Sequence, residues 1–207
     1  MTEIEVKIST DEAGYKKFIQ NYALNITGVL HQMNIFFNTY DTNLKRSMRL
    51  RRIKSAELPV RWVFTSKGPG SIVDGVSTHS EIEEAISDEN ANLILSDTKN
   101  LYKYIPKCIA DAVEPTKDSE YYLSGNFLSI RRVVPIGSFT VEADECTYPN
   151  GDKFYEFEVE STKPLEAKAE IQKILNDLGV KFEESKITKL KRLFSYPREQ
   201  RINLSIQ

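Results

Sequence analysis

The amino-acid sequence predicts an α+β protein that is mainly β, with about eight antiparallel strands and a few helices between them. Segments that alternate apolar and charged residues recur along the chain, which is the pattern of half-buried strands. These segments come in runs and do not alternate regularly with helices, which favours antiparallel over parallel sheet. The charged positions of one strand often share a single sign, which is unusual for a face that only contacts water.

The composition limits the class of protein. The chain has 207 residues, of which 28 are basic and 30 acidic, so its net charge is only −2. This balance argues against nucleic acid as a partner. No apolar run is long enough to span a bilayer, and the acidic N-terminus is unlike a secretory signal. The protein is therefore not expected to contact a membrane. Because the two cysteines form no disulfide or metal-finger pattern, we expect a cytoplasmic protein.

The N-terminal segment TEIEVKIST is predicted to be the first strand. It carries Glu3, Glu5 and Lys7 on one face and branched apolar residues on the other. Asp11 follows as a typical helix N-cap, and apolar residues at helical spacing predict a helix over 13–22. The aromatic and β-branched residues of 25–37 predict the second strand.

The middle of the chain predicts a hairpin of strands 48–53 and 60–67. The first strand carries Arg49 and Arg51 on one face, and the second carries Lys67. The sequence Gly68-Pro69-Gly70 predicts a break in the chain. Strand alternation resumes over 77–85 with Glu81 and Glu83 on one face, and residues 87–113 are predicted to be helical.

The last third predicts strands over 121–134, 139–145 and 154–160, with the first two joined by a turn at Pro135-Ile136-Gly137. Pro164 and Gly179 delimit a predicted helix, and a final helix is expected over 186–194. We therefore predict one domain over 1–195 and a disordered polar tail over 196–207. The charged positions of the three strands are Arg131, Glu142, Asp144, Glu156, Glu158 and Glu160.

The charged faces favour a closed barrel with a wet interior over a sheet with one solvated face. Strands that carry only glutamate would repel one another unless positive groups lie between them. Carboxylates without histidine or cysteine suit Mg²⁺ or Mn²⁺ better than zinc, and several Arg and Lys side chains in the same cavity suit a polyphosphate. Hydrolysis of such a ligand needs positioning, charge neutralisation and an oriented water molecule.

The same strands carry a series of short motifs. EIEVK near the N-terminus fits the pattern ExExK, and it is followed in order by HQMNIFFNTYDTNL, MRLRR, FTSKGP, HSEIEEAI, SIRRVV, FYEFEVE and SKITKLKRL. This series resembles the CYTH superfamily, the triphosphate tunnel metalloenzymes, from residue 3 to about residue 194. The length and the order of the motifs are most similar to the plant-like tripolyphosphatase branch.

The resemblance implies an eight-stranded antiparallel barrel that forms a tunnel, with helices packed outside. It implies two cations, Mg²⁺ or Mn²⁺, at Glu3, Glu5, Glu156, Glu158 and Glu160. It implies that the triphosphate is held by Lys7, Arg49, Arg51, Lys67, Arg131 and Lys189, with Lys186 as an alternative to Lys189. Glu81, Glu83, Glu142 and Asp144 would line the tunnel, hold a second metal or orient water. The catalytic roles would fall to Glu5, Glu158, Glu160 and Lys189.

Some residues depart from this pattern or lie outside it. Asn38 stands where the family usually has aspartate, and Ser129 stands where relatives often have lysine, which predicts a weaker or rearranged hold on phosphate. His31 and His79 are far apart and have no neighbouring cysteine or serine motif. We interpret both histidines as structural or surface residues.

Residues and resemblance together predict a monomeric, metal-dependent phosphohydrolase that cleaves the terminal phosphate of inorganic triphosphate, a small-molecule substrate. The general base is left open among a glutamate, Lys189 and metal-bound hydroxide. The same tunnel would also suit a thiamine triphosphatase, a nucleoside or RNA 5′-triphosphatase, or an adenylate cyclase of the class IV type. A non-catalytic polyphosphate-binding module is the second alternative.

Overall fold

The computed structural model describes residues 2–41 and 44–204. Its strands are β1 (Thr2–Thr10), β2 (Gly28–Thr39), β3 (Ser47–Lys54), β4 (Arg61–Val73), β5 (Val76–Ile86), β6 (Tyr121–Ile136), β7 (Phe139–Thr147), β8 (Lys153–Glu160) and β9 (Phe182–Glu184). Its α-helices are α1 (Glu12–Asn21), α2 (Asp88–Ser96), α3 (Lys107–Ala112), α4 (Pro164–Asp177) and α5 (Lys189–Ser195). Short 3-10 helices cover Ala23–Asn25, Thr98–Lys103, Glu114–Thr116 and Arg198–Gln200.

Eight of the strands close into a barrel. The strand order around the sheet is β5-β4-β3-β2-β6-β7-β8-β1. Strand β1 also pairs with β5, and this pairing closes the sheet into a barrel. Neighbouring strands are antiparallel throughout. The predicted eight-stranded antiparallel barrel is therefore confirmed. The short strand β9 is an addition that the sequence did not predict, and it pairs with the end of β1.

Strand β1 changes partners at Lys7. Its first half pairs with β5, and its second half pairs with β9. Between the two, the Lys7 N–H donates to the carbonyl of Gly75 over 2.7 Å, and the Lys7 carbonyl accepts from the N–H of Ser185 over 3.0 Å. Gly75 has φ +72°, and a Cβ there would lie 3.1 Å from the Lys7 carbonyl oxygen. The junction thus satisfies the backbone of Lys7 while its side chain enters the barrel.

The outward faces of the strands form the hydrophobic core with the helices. On one side, Ile8 and Phe157 pack under α1 and α4. On the other side, Leu50, Trp62 and Phe64 pack in a core that includes residues of α2 and α3. Because side chains alternate across a strand, burying these apolar positions outside leaves the charged positions to face the barrel interior.

Helix α5 packs into one end of the barrel. Its Leu193 contacts Phe36, Phe127 and Phe154, which belong to the inward faces of β2, β6 and β8. The helix begins after Thr188, whose hydroxyl accepts from the N–H of Lys191 over 3.1 Å. This docking places the first turn of α5 beside the charged interior.

The chain reversal near residue 70 differs from the prediction. Gly68-Pro69-Gly70 does not end the strand: β4 continues to Val73 with a register shift between Lys67 and Gly70. The reversal occurs at Asp74 and Gly75, with φ +48° and +72°. Two consecutive positive φ values are typical of the type I′ turn that joins antiparallel strands. The extension of β4 pairs Gly70 with His79 and continues to Val73 opposite Val76, beyond the pair of Lys67 and Glu81.

The region predicted to be helical over 87–113 contains α2, a 3-10 helix and α3. Residues 196–204, within the predicted tail, lie against β6: the Arg201 carbonyl accepts from the N–H of Asn126 over 2.8 Å, and the N–H of Asn203 donates to the Asn126 side chain over 2.7 Å. Residues 205–207, and Thr42 and Asn43 of the NTYDTN motif, lie outside the described residues. None of the described helices has the length and apolarity needed to cross a bilayer.

Candidate functional site

The barrel interior forms a cavity of about 1110 Å³. With one exception, the predicted site residues line it: Glu3, Glu5, Lys7, Arg49, Arg51, Lys67, Glu81, Glu83, Arg131, Glu142, Asp144, Glu158, Glu160, Lys186 and Lys189. The exception is Glu156, which shares the face of β8 with Glu158 and Glu160 but is fully buried against Lys189. Strand alternation therefore predicted which side chains share this space, although they come from strands far apart in the sequence.

One group of charges, which we call the rim cluster, comprises Glu3, Lys67, His79 and Glu81 on β1, β4 and β5. The Lys67 ammonium lies 3.2 Å from Glu3 and 2.5 Å from Glu81. His79 Nε2 lies 2.8 Å from Glu3 Oε2 and 3.3 Å from Glu81 Oε2. Side-chain exposure here is 21% for Glu3 and 28% for Lys67, so the cluster remains accessible from the cavity.

The carboxylates of the rim cluster lie so close together that they cannot all be ionised unless a positive group neutralises them. Burial, reinforced by the neighbouring carboxylates of Glu5 and Glu81, raises the pKa of Glu3 to about 7. Hydrogen bonds to Glu3 and Glu81 raise the pKa of His79 to about 9, because they favour the imidazolium. These carboxylates attract positive charge, which here comes from a proton and an ammonium group.

A second group, the deep cluster, comprises Arg131, Asp144, Glu158 and Lys189. The Arg131 guanidinium donates two hydrogen bonds to Asp144, over 2.8 and 2.7 Å, and a third to Glu158 over 2.6 Å. Lys189 lies 2.6 Å from Asp144 and 2.9 Å from Glu158. Two further contacts extend the cluster, from Lys7 to Glu158 and from Arg131 to Glu142.

The ion pairs of the deep cluster hold its members in their charged forms. Burial alone would raise the pKa of Asp144, but Arg131 and Lys189 outweigh it and lower that pKa. Burial would also raise the pKa of Glu158, and Lys189 and Lys7 lower it well below its usual range. The Asp144 side chain is only 1% exposed. The network is thus a fixed arrangement of alternating charges.

The wall formed by β3 carries two arginines, of which Arg49 pairs with Glu81 and Glu83 at 3.7 and 3.6 Å, whereas Arg51 has no carboxylate partner among the described residues. Arg51 donates to the side-chain oxygen of Asn34 over 3.0 Å and forms no ion pair within 2–41 and 44–204. Burial, together with the neighbouring guanidinium groups of Arg49 and Arg131, lowers the pKa of Arg51. A half-buried cation beside like charges is stabilised by an anion, so the position of Arg51 is suited to bind one.

The remaining predicted residues lie at the edges of the site. Glu160, at the exposed end of β8, is in register with Glu5 across the β1–β8 pair. Both alternative lysines line the cavity, and Lys186 is exposed, whereas Lys189 reaches the deep cluster. Buried Glu156 accepts from the Ser185 hydroxyl over 2.6 Å and lies 3.0 Å from Lys189.

Sequence reasoning missed His79, which lies in the cavity and was interpreted as structural or surface. The signal was available in the strand period, because His79 precedes Glu81 by two positions and shares its face. His31, in contrast, is exposed and does not line the cavity.

Sequence comparison identifies the family. The CYTH domain model matches residues 1–193. The chain belongs to the CYTH family. The predicted resemblance is therefore confirmed, and the charged barrel is the triphosphate tunnel of a CYTH protein. No curated protein sequence matches this CYTH protein significantly.

Solved structures share the fold of this CYTH protein. A candidate adenylyl cyclase from Hippeastrum, described as having a dominant triphosphatase activity, superimposes with a TM-score of 0.84 at 23% identity, over 96% of this chain and 99% of that chain. A candidate adenylate cyclase from Bacillus halodurans has a TM-score of 0.72 at 23% identity, over 93% and 97%. The PH1819 protein of Pyrococcus horikoshii has a TM-score of 0.62 at 20% identity, over 93% and 98%.

Proposed function

We infer that this CYTH protein is a divalent-metal-dependent triphosphatase that releases the terminal phosphate of inorganic triphosphate. The observation that supports this most strongly is Arg51, a half-buried cation that has no carboxylate partner among the described residues, in a cavity whose other walls carry carboxylates. A ligand with closely spaced negative charges would neutralise the arginine wall. The carboxylates would repel such a ligand unless cations lay between them.

The carboxylates on β1 and β8 fit divalent cations. One donor atom from each of Glu3, Glu5 and His79 lies within 4.8 Å of the others. The buried Oε2 atom of Glu5 accepts no hydrogen bond from the described residues, although the Lys7 ammonium lies against it. Oxygen-rich sites suit Mg²⁺ and Mn²⁺, and we assign Glu3, Glu5, Glu158 and Glu160 as the carboxylate ligands. Bound cations would neutralise the triphosphate and make a water molecule more acidic.

The basic residues would bind and orient the triphosphate. Lys7, Arg49, Arg51, Lys67, Arg131 and Lys189 surround the cavity and would exchange part of their contacts with carboxylates for contacts with phosphate oxygens. Asp144 holds the Arg131 guanidinium in a fixed plane through two hydrogen bonds, so its remaining donors keep one direction. Glu81, Glu83 and Glu142 line the cavity and would adjust its charge or orient water.

Glu156 supports this arrangement from behind. It was expected beside the metal ligands, and it contacts Lys189 and the Ser185 hydroxyl outside the cavity lining. Because Glu156 is buried, we assign it the role of positioning the Lys189 ammonium. Lys189 would then present its charge to the phosphate chain, where it would stabilise the negative charge that develops on the leaving group as the bond to the terminal phosphate breaks.

An organic triphosphate is the second candidate substrate. It is favoured by the descriptions of two structural neighbours as candidate adenylyl or adenylate cyclases, one of them with triphosphatase activity. The two classes of reaction differ in their products. A triphosphatase releases phosphate, whereas a cyclase forms a cyclic nucleotide and pyrophosphate.

The deciding experiment measures products from inorganic triphosphate, ATP and thiamine triphosphate, each with Mg²⁺, with Mn²⁺ or with EDTA. We expect phosphate release that requires the metal and is fastest with inorganic triphosphate. Faster release from ATP or thiamine triphosphate would assign the organic substrate, and cyclic nucleotide with pyrophosphate would assign a cyclase. Triphosphate binding without any turnover under all conditions would show a binding module and contradict the proposal.

A further inference from the structure

His79 occupies a central position in the rim cluster. Its side chain is 9% exposed and points into the cavity from β5. Its Nε2 atom lies 2.8 Å from Glu3 Oε2, 3.3 Å from Glu81 Oε2 and 3.7 Å from Glu5 Oε1. One ring nitrogen therefore faces three carboxylates that come from two adjacent strands of the barrel.

The other ring nitrogen has a partner that can set the tautomer. His79 Nδ1 lies 3.5 Å from the hydroxyl of Ser77, which is buried on the same face of β5. Once a cation displaced the Nε2 proton, an Nδ1–H that donates to this hydroxyl would leave the lone pair of Nε2 directed at that cation. Histidines that bind metals in proteins almost always donate their second ring N–H to such a partner.

The distances suit a shared cation. Two ligand atoms at about 2.1 to 2.2 Å from one ion lie about 3 Å apart at a right angle and about 4.3 Å apart in line. The donor atoms of Glu3, Glu5 and His79 lie within 4.8 Å of one another, with 2.8 and 3.7 Å for two of the three pairs. Small side-chain adjustments would bring all three to bonding distance.

The rim cluster already holds a cationic group. The Lys67 ammonium lies 3.0 Å from His79 Nε2, 3.2 Å from Glu3 and 3.5 Å from Glu5. Lysine is long and this side chain is 28% exposed, so it can move toward the cavity when a stronger cation binds the carboxylates. The ammonium would then be available to a phosphate oxygen.

We propose that His79 is a nitrogen ligand of the cation that Glu3 and Glu5 bind, and that it makes this site prefer Mn²⁺ and later transition metals over Mg²⁺. The inference rests on the proposed function, in which Glu3 and Glu5 hold a divalent cation. Mg²⁺ prefers oxygen ligands and gives up water reluctantly, whereas imidazole binds better to transition metals. The sequence alone predicted carboxylates without histidine, so this donor changes the expected metal preference.

Pulsed EPR of the Mn²⁺-loaded protein tests the bond directly. The protein has two histidines, and His31 on β2 is exposed outside the cavity, so His31→Gln is a matched control for His79→Gln. We expect a ¹⁴N coupling to Mn²⁺ in the wild type and in His31→Gln, its replacement by a ¹⁵N coupling after labelling with ¹⁵N-histidine, and its loss in His79→Gln.

A histidine that only orients Glu3 through a hydrogen bond would not produce the coupling of a direct ligand. Absence of the coupling in the wild type, or its persistence in His79→Gln, would overturn the proposal. The labelled wild type alone decides the matter if His79→Gln does not fold. Failure of Mn²⁺ to bind at all would overturn it as well.

Calorimetric titration with each metal tests the preference. We expect His79→Gln to lose about tenfold or more in Mn²⁺ affinity and to keep its Mg²⁺ affinity within about twofold. Equal losses for both metals would contradict the selectivity. Both readouts are independent of turnover. A nitrogen coupling without phosphate release would contradict only the proposed triphosphatase function. Metal-dependent phosphate release without the coupling would contradict only the proposed role of His79.

Discussion

The two charged clusters of the tunnel both bring carboxylates together with cationic side chains but differ in burial and in charge balance. In the deep cluster, Asp144 is 1% exposed and contacts both Arg131 and Lys189. In the rim cluster, Glu3 is 21% exposed, and burial together with the neighbouring carboxylates of Glu5 and Glu81 raises its pKa. The deep cluster is therefore a fixed framework of paired charges, whereas the rim cluster can take up a cation from solution.

This difference predicts that the deep cluster contributes more to stability than the rim cluster does, although both line the proposed substrate site. Removing one partner of a buried ion pair leaves an uncompensated charge, so the deep cluster should govern folding. Removing a carboxylate from the accessible cluster relieves repulsion between like charges, so the rim should affect binding more than folding. The following substitutions test that separation, from the largest expected effect to the smallest.

Asp144→Asn should lower the free energy of unfolding by about 3–5 kcal/mol, because Arg131 and Lys189 would lose their shared buried carboxylate. Urea denaturation measures the change. In the rim, Glu3→Gln should change the same quantity by less than about 1 kcal/mol. Equal losses in the two variants would remove the distinction between the clusters.

The effect of Asp144 should also depend on pH. Its pKa is lowered in the folded protein, because Arg131 and Lys189 outweigh the effect of burial. A lowered pKa contributes stability above the unfolded value, about 4, and this contribution is lost as the pH falls through the folded pKa. The difference between wild type and Asp144→Asn should therefore shrink in acid.

Glu5→Gln should reduce triphosphate turnover at least about a hundredfold while the circular dichroism spectrum stays unchanged, because a carboxylate assigned to the cation is lost. Glu145, on the outward face of β7, pairs with Lys153 over 2.7 Å. Glu145→Gln should therefore keep wild-type activity. Normal turnover in Glu5→Gln would show that this carboxylate is not a metal ligand.

Arg51→Lys should weaken triphosphate binding about tenfold in the presence of EDTA, because lysine lacks the planar fork that binds two oxygens at once. Isothermal titration calorimetry measures this affinity. Arg52 is adjacent in sequence but faces away from the cavity, so Arg52→Lys is the control and should bind normally. Equal affinities for Arg51→Lys and wild type would exclude Arg51 from the anion site.

Lys186→Ala should give the smallest effect, a rise in KM of about two- to threefold that disappears at high salt, because an exposed lysine attracts the substrate only through a screened field. Lys189→Ala should instead lower kcat, since its ammonium contacts Asp144, Glu156 and Glu158 inside the barrel. If Lys186→Ala lowered kcat and Lys189→Ala raised only KM, the roles of the two lysines would be the opposite of those proposed.

Much of this site could be predicted because strand alternation is a local property. The period of two placed Arg49 and Arg51 inside the barrel and Leu50 outside, and both placements agree with the structure. The same rule also puts His79 on the face of Glu81, and it was not applied to the histidine. Asp74-Gly75 is likewise a local signal for a hairpin turn, but the prediction placed the break at the glycines 68 and 70 instead.

The amino-acid sequence by itself determined the eight barrel strands apart from the end of β4, which face of each strand is charged, and the family to which the chain belongs. Tertiary structure decided which charges meet. Lys7 contacts Glu158 across 151 positions of sequence, and Lys189 reaches Asp144 only because α5 packs into the barrel end. Strand order, register and closure bring such distant groups together, and none of these is encoded in the local period of two. The division between a fixed deep cluster and an accessible rim therefore arises only when the barrel closes.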